Sequence, residues 1–291
     1  MLEIMKKFDA QISRAAILAI YKQAIEDLSA HWPLSKKFIR EQEIALTILN
    51  QPILTHLDRM TLLGIYQTSY HDSGKIQGIT SCDGSAHGCK FCNDMRELAE
   101  KFPELGIICD LCYDHQQEID RSNVGPRHAL NGLIMKTVEF EEDEVAGLPI
   151  TSILREDSSG EIDNMIQALN YLKIAKSHPY SEAACWTKNA PVVSVAVDYY
   201  GKPENLRLIQ SSPRIGVPVT LAPHFDNSFT VYRNKAETLA AIARGANPCN
   251  GQHCIDCGYR CYYSEKKGGW KPGTDIAETL RLKNRKKEVA R

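Results

Sequence analysis

The chain has 291 residues, of which 43% are hydrophobic and 24% are charged, and its formal net charge is −1. These values exclude general disorder and a general polyanion-binding surface, while they leave a local nucleic-acid site open. The length predicts one large domain with appendages. The N-terminus has no signal-peptide pattern, and no stretch approaches the ~20 apolar residues of a spanning helix. We therefore predict a cytoplasmic protein that does not enter a membrane.

The first predicted elements are two amphipathic helices, over residues 9–30 and 35–50, where apolar residues recur at helical spacing. A proline follows the main part of each run, Pro33 in the first case and Pro52 in the second. We therefore predict that residues 1–70 form a helical scaffold packed on the core, with no chemistry of their own.

A cysteine-rich stretch follows, over residues 76–112. A strand is predicted at 76–80, and helices are predicted at 93–101 and 113–135. Five of the ten cysteines lie in this stretch, namely Cys82, Cys89, Cys92, Cys109 and Cys112. Thiolates at such spacing repel one another unless a cation neutralises them, so the pattern favours a metal ion or an iron–sulfur cluster over disulfides.

The middle of the chain alternates between strand-like and helical runs. Short apolar runs predict strands at 150–154, 183–186, 206–210 and 229–232. Helices are predicted around 162–172, with Ser158 or Ser159 as the N-cap, and at 236–244. This alternation predicts an α/β core over residues 71–245, built as a partial (β/α) parallel barrel or as an open parallel sheet.

Ligand-binding residues of such folds lie in loops after the carboxyl ends of the strands. The loops that this rule selects are 82–92, 155–161, 187–189 and 211–214. Lys188 is therefore a candidate contact for a cofactor carboxylate or phosphate, and Arg155 is a second candidate cofactor-binding residue. Cys185 lies within an apolar strand and is predicted to be a buried small hydrophobe.

The last segment, 246–291, is predicted to be a cysteine cluster followed by a basic tail. Its four cysteines, here called the terminal set, have the spacing C-x4-C-x2-C-x3-C and are Cys249, Cys254, Cys257 and Cys261. The spacing opens like a plant-type ferredoxin run and closes with the gap of bacterial ones, which favours iron–sulfur over zinc. We expect the terminal set to lie on the same side of the sheet as Cys82.

Two resemblances refine these expectations. The loop with Cys82, Cys89 and Cys92 resembles the cluster loop of radical S-adenosylmethionine enzymes, although six residues rather than three separate its first two cysteines. The run Ser159-Gly160-Glu161 is similar to the Gly-Gly-Glu motif of that family. This resemblance implies a 4Fe–4S cluster on three thiolates, S-adenosylmethionine bound near the Ser159 to Glu161 run, an unknown substrate and a reductant protein as partner. Without the resemblance, the same run reads as a helix cap.

The chain as a whole resembles the phage and mobile-element family called gene product 88. The matches are Cys109-Asp110-Leu111-Cys112-Tyr113, the loop 155–161, Trp186-Thr187-Lys188, the run 203–206 with Ser211, and the terminal set. The resemblance implies a phage context but no known activity. Within it, Cys109 and Cys112 are candidate cluster ligands in place of Cys89 and Cys92.

Zinc remains the alternative metal. Cys89, Cys92, Cys109 and Cys112 have the spacing C-x2-C-x16-C-x2-C, which is typical of a four-cysteine structural zinc site. We therefore expect an iron–sulfur protein with one or two 4Fe–4S clusters, and radical S-adenosylmethionine-like chemistry as the finer expectation. The competing hypothesis is a zinc-stapled module that binds nucleic acid or a host protein.

Overall fold

The computed structural model describes residues 13–121, 124–249 and 253–280. Its strands are β1 Ser69–Tyr70, β2 Thr80–Cys82, β3 Ile153–Glu156, β4 Glu182–Thr187, β5 Leu206–Ser211, β6 Asn227–Tyr232, β7 Asn247–Cys249 and β8 Asp275–Thr279. Its helices are α1 Arg14–Ser29, α2 Lys36–Leu49, α3 His56–Ile65, α4 Lys90–Lys101, α5 Tyr113–Asp120, α6 Val124–Thr137, α7 Glu142–Val145, α8 Met165–Ser177, α9 Ala190–Tyr200 and α10 Lys235–Ala243.

All eight strands belong to one sheet, in the order β1-β2-β3-β4-β5-β6-β8-β7. The short β1 is antiparallel to β2, and every other neighbouring pair is parallel. Strands β2 to β6 are adjacent in chain order, as expected when successive parallel strands are joined by crossover connections. The predicted α/β class with a mainly parallel sheet is therefore confirmed.

The two faces of the sheet have different covers. Leu154, Cys185 and Leu208 belong to the large apolar core that includes the N-terminal helices, α6, α8 and α9. The alternate residues Ile153 and Ala184 pack instead with Tyr262 from the C-terminal segment. Because side chains alternate along a strand, one face lies under helices and the other under the segment that carries the terminal set.

The N-terminal helices match the predicted positions closely. Ser13 and Ser35 cap α1 and α2 by accepting hydrogen bonds from backbone N–H groups of the first turn. Helix α3 was not predicted, although Thr55 and Asp58 form a capping box that is legible in the sequence. None of the helices described in the structure is long and apolar enough to cross a membrane.

Other predictions need correction. The helix predicted over 113–135 is two helices, α5 and α6. The N-cap of α8 is Asn164, whose side chain accepts a hydrogen bond from the Gln167 N–H at 3.0 Å, so the prediction of Ser158 or Ser159 as the cap is wrong. Strands β7 and β8 were not predicted, and they join residues beyond 245 to the core sheet.

The C-terminal segment also contacts the far end of the sheet. The Cys254 N–H donates to the Lys75 carbonyl at 2.7 Å, and a His253 ring nitrogen lies 2.8 Å from the Gly74 carbonyl. Lys75 itself pairs with Glu278 of β8 at 2.6 Å. Residues 253 and 254 and β8 therefore meet the turn that leads into β2, although four strands separate β2 from β8 in the sheet.

Candidate metal centres

Cys89 and Cys92 lie at the N-terminus of α4. Cys89 is the N-cap, and its Sγ accepts a hydrogen bond from the Cys92 N–H at 3.2 Å. The Cys89 Sγ also lies 3.2 Å from Asp163 Oδ1, and Asp163 accepts hydrogen bonds from the N–H groups of Lys90 and Phe91. A carboxylate at a helix N-terminus is favourable because it faces the positive end of the helix dipole. Asp163 therefore fixes the first cysteine pair.

The charge of Asp163 is balanced by Lys136 of α6. The two charged groups are 2.5 Å apart, and their side chains are only 2% and 3% exposed. Burial alone would lower the pKa of Lys136, but the neighbouring Asp163 carboxylate outweighs it and raises the pKa. The Lys136 ammonium also donates to the Gly88 carbonyl at 3.2 Å, so it holds the cysteine loop at two points.

Glu118 of α5 holds the same loop through hydrogen bonds. Its fully buried carboxylate accepts hydrogen bonds from Ser85 Oγ and the Ala86 N–H, both at 2.9 Å, and lies 2.7 Å from His87 Nδ1. Burial would raise its pKa, but hydrogen bonds from His128 and His87 outweigh that effect and lower the pKa to about 2. Sequence reasoning missed Glu118, because a single glutamate in a polar helix carries no motif.

Lys188 lies among the thiols of the first cysteine stretch. Burial would lower its pKa, but the charge of Glu161 and the thiols of Cys109, Cys92 and Cys112 together raise it. The charge of Cys109 in turn contributes to the raised pKa of both Cys92 and Cys112. Thiols of both C-x2-C pairs therefore lie near Lys188, whose side chain is 22% exposed, and we call Cys89, Cys92, Cys109 and Cys112 the central set.

The second pair of the central set is held by the loop after β5. The Ile108 N–H donates to the Pro213 carbonyl at 2.9 Å, and the Ile215 N–H donates to the Gly106 carbonyl at 2.8 Å. Arg214 Nε donates to the Leu105 carbonyl at 3.2 Å. The predicted 211–214 loop thus supports the backbone that carries Cys109, rather than presenting Arg214 to a ligand.

Three cysteines of the central set, Cys89, Cys92 and Cys109, are buried, and Cys112 is partly exposed. Burial raises the pKa of Cys112 to about 12 and also raises the pKa of Cys89 and Cys109. For Cys92 the hydrogen bond with Cys89 is the larger cause of a raised pKa, and burial adds to it. A bound cation would favour the thiolate forms, so metal binding at this site must release protons.

Cys82 belongs to the large apolar core on the helix side of the sheet. It faces the helix layer, in a row across the sheet with Glu156 and Cys185, and the Tyr66 side chain lies beside it. Burial raises the pKa of Cys82 and of Cys185, which is 1% exposed, in agreement with its prediction as a buried small hydrophobe. The terminal cysteines Cys254 and Cys261 pack on the opposite face, so the expectation that they share a side with Cys82 is wrong.

The terminal set is also a group of neighbouring thiols. Burial, together with the charges of Cys249, Cys254 and Cys257, raises the pKa of Cys261 to about 12. Burial raises the pKa of Cys254, whereas the positive charges of Arg155 and Lys75 favour the thiolate and oppose that rise. Two basic side chains therefore lie beside the terminal set, as Lys188 lies beside the central one.

Arg155 lies beside Trp186 of β4. Its guanidinium lies 4.6 Å from the centre of the Trp186 ring, on the face that the C-terminal segment covers. Burial would lower the pKa of Arg155, but the nearby side chains of Tyr262, Cys254, Asp114 and Asp83 together raise it. Arg155 therefore lies near Cys254 of the terminal set, and its predicted contact with a cofactor stays a prediction.

The run Ser159-Gly160-Glu161 packs directly on the cysteine loop. The Gly84 N–H donates to the Ser159 carbonyl at 3.0 Å, and Ser159 Oγ lies 3.3 Å from Glu118. The Glu161 carboxylate accepts hydrogen bonds from the Lys188 N–H at 2.8 Å, the Ile162 N–H and the Thr187 hydroxyl. Glu161 therefore joins the loop after β3 to the loop after β4, and protein donors occupy its oxygens.

The run Ser159-Gly160-Glu161 approaches the cysteine loop closely at Gly160. Its φ is +92°, and an added Cβ would lie 3.0 Å from the Ser85 nitrogen. We expect Gly160→Ala to lower the free energy of unfolding by about 1–3 kcal/mol and to loosen the cysteine loop. Gly201→Ala is the matched control, because its φ is +94° but nothing lies within 4 Å. Chemical denaturation of both variants should show the larger loss for Gly160→Ala; equal losses would contradict the contact.

In the described residues, no three Cys, His, Asp or Glu side chains converge closely enough to hold a metal ion as they stand. The case for a metal at either set therefore rests on the cysteine spacing and on the basic side chains near the thiols. Comparison with protein-family models, with curated proteins and with solved structures finds no significant match for this chain.

Proposed function

We propose that this chain is an iron–sulfur protein with two four-cysteine sites, the central set and the terminal set, and that it carries electrons. The observation that carries this proposal is that thiols of both C-x2-C pairs, Cys92, Cys109 and Cys112, lie close enough to Lys188 to raise its pKa. Four thiolates around a cluster leave excess negative charge, which a nearby buried cation offsets. In the terminal set, the positive charges of Arg155 and Lys75 likewise lie near a thiol, that of Cys254.

The chain's own residues would supply ligands and a dry environment. An iron–sulfur cluster supplies one-electron redox chemistry when bound. Lys188 and Arg155 offset charge, Glu118 and Asp163 fix the cysteine loop, and the helix layer excludes water from one face of the sheet. We further propose that the sheet is a partial barrel, which the chain-order neighbours β2 to β6 and the Lys75–Glu278 ion pair support.

Radical S-adenosylmethionine-like chemistry is a narrower proposal, favoured by the packing of the Ser159 loop on the cysteine loop. It needs a cluster iron without a protein ligand. The position of Cys82 in the large apolar core supports two closed sites instead. Under our proposal, S-adenosylmethionine should leave the cluster's spin-resonance signal unchanged; a changed signal together with its cleavage would favour the enzyme and an unknown substrate.

Metal analysis tests the proposal directly. We expect protein purified without oxygen to be brown and to contain iron and sulfide in near-equal amounts. The double variant Cys109→Ser/Cys112→Ser should lose about half of the iron, because one of two sites is removed. Cys185→Ser is the control, since that buried thiol belongs to neither set, and it should keep the iron. Colourless protein with two zinc ions would overturn the proposal and support a zinc-stapled binding module.

A further inference from the structure

A surface cleft lies in the C-terminal segment, and we call it the terminal cleft. Its volume is about 410 Å³, and it is lined by Pro248, Asp256, Cys257, Arg260 and Trp270. Small-ligand sites in proteins are typically roughly 300–1,000 Å³, so the cleft is large enough for a planar ring system.

The two charged side chains of the terminal cleft are available to a ligand. Asp256 and Arg260 are both exposed. Within the part of the chain that the structure describes, neither side chain forms an ion pair or a hydrogen bond. The Arg260 guanidinium instead lies over the Trp270 ring, 4.9 Å from its centre. The cleft therefore combines a stacked pair of flat groups with a carboxylate that has no protein partner there.

These groups match the chemistry of a nucleobase. Unpaired bases stack on aromatic rings and on arginine guanidinium planes, and their hydrogen-bonding edges are then open to side chains. The Asp256 carboxylate only accepts hydrogen bonds, so it favours bases whose edges carry amino groups. Cytosine, adenine and guanine have such groups, whereas thymine and uracil do not.

Positive charge for the phosphates lies close to the cleft in the chain. Lys271 follows Trp270 directly and is exposed. The basic tail, residues 281–291, lies outside the described residues; its sequence has six Lys or Arg and one acidic residue. It begins four residues after Ala277, the β8 partner of Pro248. The overall net charge of −1 does not oppose this site, because salt screens surface charges beyond about 8–10 Å.

We infer that the terminal cleft binds one base of a single-stranded nucleic acid, and that Lys271 and the basic tail bind the neighbouring phosphates. This inference goes beyond the proposed function and does not rest on it, since none of these contacts uses a metal. A duplex keeps its bases stacked in pairs and offers the cleft no open base face, and a lipid surface offers no base at all. Single strands that contain cytosine should therefore bind most tightly.

The test uses the full chain, purified without oxygen, and fluorescence anisotropy of labelled strands of about 12 nucleotides, a length within the site sizes of single-strand-binding domains. Oligo-dC and oligo-rC should bind several-fold more tightly than oligo-dT, and their relative affinity assigns DNA or RNA as the partner. Added salt should weaken the binding. Trp270→Leu should weaken it by about tenfold or more, and Trp270→Phe by less. Asp256→Asn alters an exposed side chain and should remove the preference for cytosine over thymine.

Arg40→Ala is the matched control for Arg260→Ala, because each removes one exposed guanidinium and Arg40 lies on α2 of the helical scaffold. Arg260→Ala should weaken binding several-fold, and Arg40→Ala should leave it unchanged. Unaltered affinity in Trp270→Leu would overturn the cleft as the site. Equally tight binding to a duplex, or to vesicles that contain phosphatidylserine, would overturn it as well. Iron and sulfide are measured on the same preparations, so protein that holds iron but binds no strand would overturn this inference alone.

Discussion

Replacing Lys136 with methionine is expected to lower the free energy of unfolding by about 3–5 kcal/mol, because it leaves a buried carboxylate without its partner. Asp163 is 3% exposed and would keep its charge beside the N-terminus of α4. The same change should weaken retention of iron by the central set, since Lys136 also holds the Gly88 carbonyl. Urea denaturation and iron analysis of the same preparations measure both effects.

The control is Lys101→Met, which breaks an ion pair with Glu97 whose two side chains are each 67% exposed. We expect a change within about 1 kcal/mol there. The double variant Lys136→Met/Asp163→Asn should regain part of the lost stability, because the amide oxygen still accepts the Phe91 N–H while the charge is gone. A Lys136→Met protein as stable as the unaltered chain would show that the Lys136–Asp163 ion pair does not stabilise the fold.

Glu118→Gln is expected to lower stability strongly at neutral pH and weakly in acid. The folded-state pKa of about 2 lies below the ordinary value of 4.5. Ionisation of Glu118 therefore favours the folded state above pH 4.5, and this contribution is lost as the pH falls through about 2. The shift corresponds to about 3 kcal/mol.

Urea denaturation at pH 7, 5 and 4 measures the difference between the variant and the unaltered protein. This difference should narrow below about pH 4.5, since the carboxyl group of the unfolded chain then begins to take up a proton while that of the folded chain does not. Glu97→Gln is the control, and its effect should stay within about 0.5 kcal/mol because the side chain is exposed. A difference that is constant from pH 7 to pH 4 would mean that Glu118 acts through shape rather than charge.

The central strands could be predicted because each contains a short, mainly apolar run. The runs at 206–210 and 229–232 are short, apolar and bounded by turn residues, and they are β5 and β6 in the structure. Strand β8 escaped prediction because much of it is polar. Its Asp275 accepts hydrogen bonds from Ser228 and Thr230 of the neighbouring strand, a partnership that only the pairing reveals.

The sequence predicts which types of residue form the candidate site, but it does not predict which cysteines lie together. The C-x2-C spacing indicates pairs, yet which pairs meet depends on how the loops after β4 and β5 fold. Cys82 was grouped with Cys89 on sequence proximity, although strand alternation turns it toward the helix layer. Ser159 looked like a helix cap, but its hydroxyl lies beside Glu118, forty-one positions away.

The insertion of β8 between β6 and β7 sets an order for assembly on the ribosome. Strand β7 is synthesised before β8, yet β8 is its one partner strand among the residues that the structure describes. Cys249 ends β7, and the other three cysteines of the terminal set lie between β7 and β8, so all four leave the exit tunnel before the strand that completes the sheet. Contacts between residues so far apart in the chain form late, since their loops must close first. A nascent chain that stalls before residue 275 would therefore expose the unpaired edge of β6, with the terminal cysteines still unanchored.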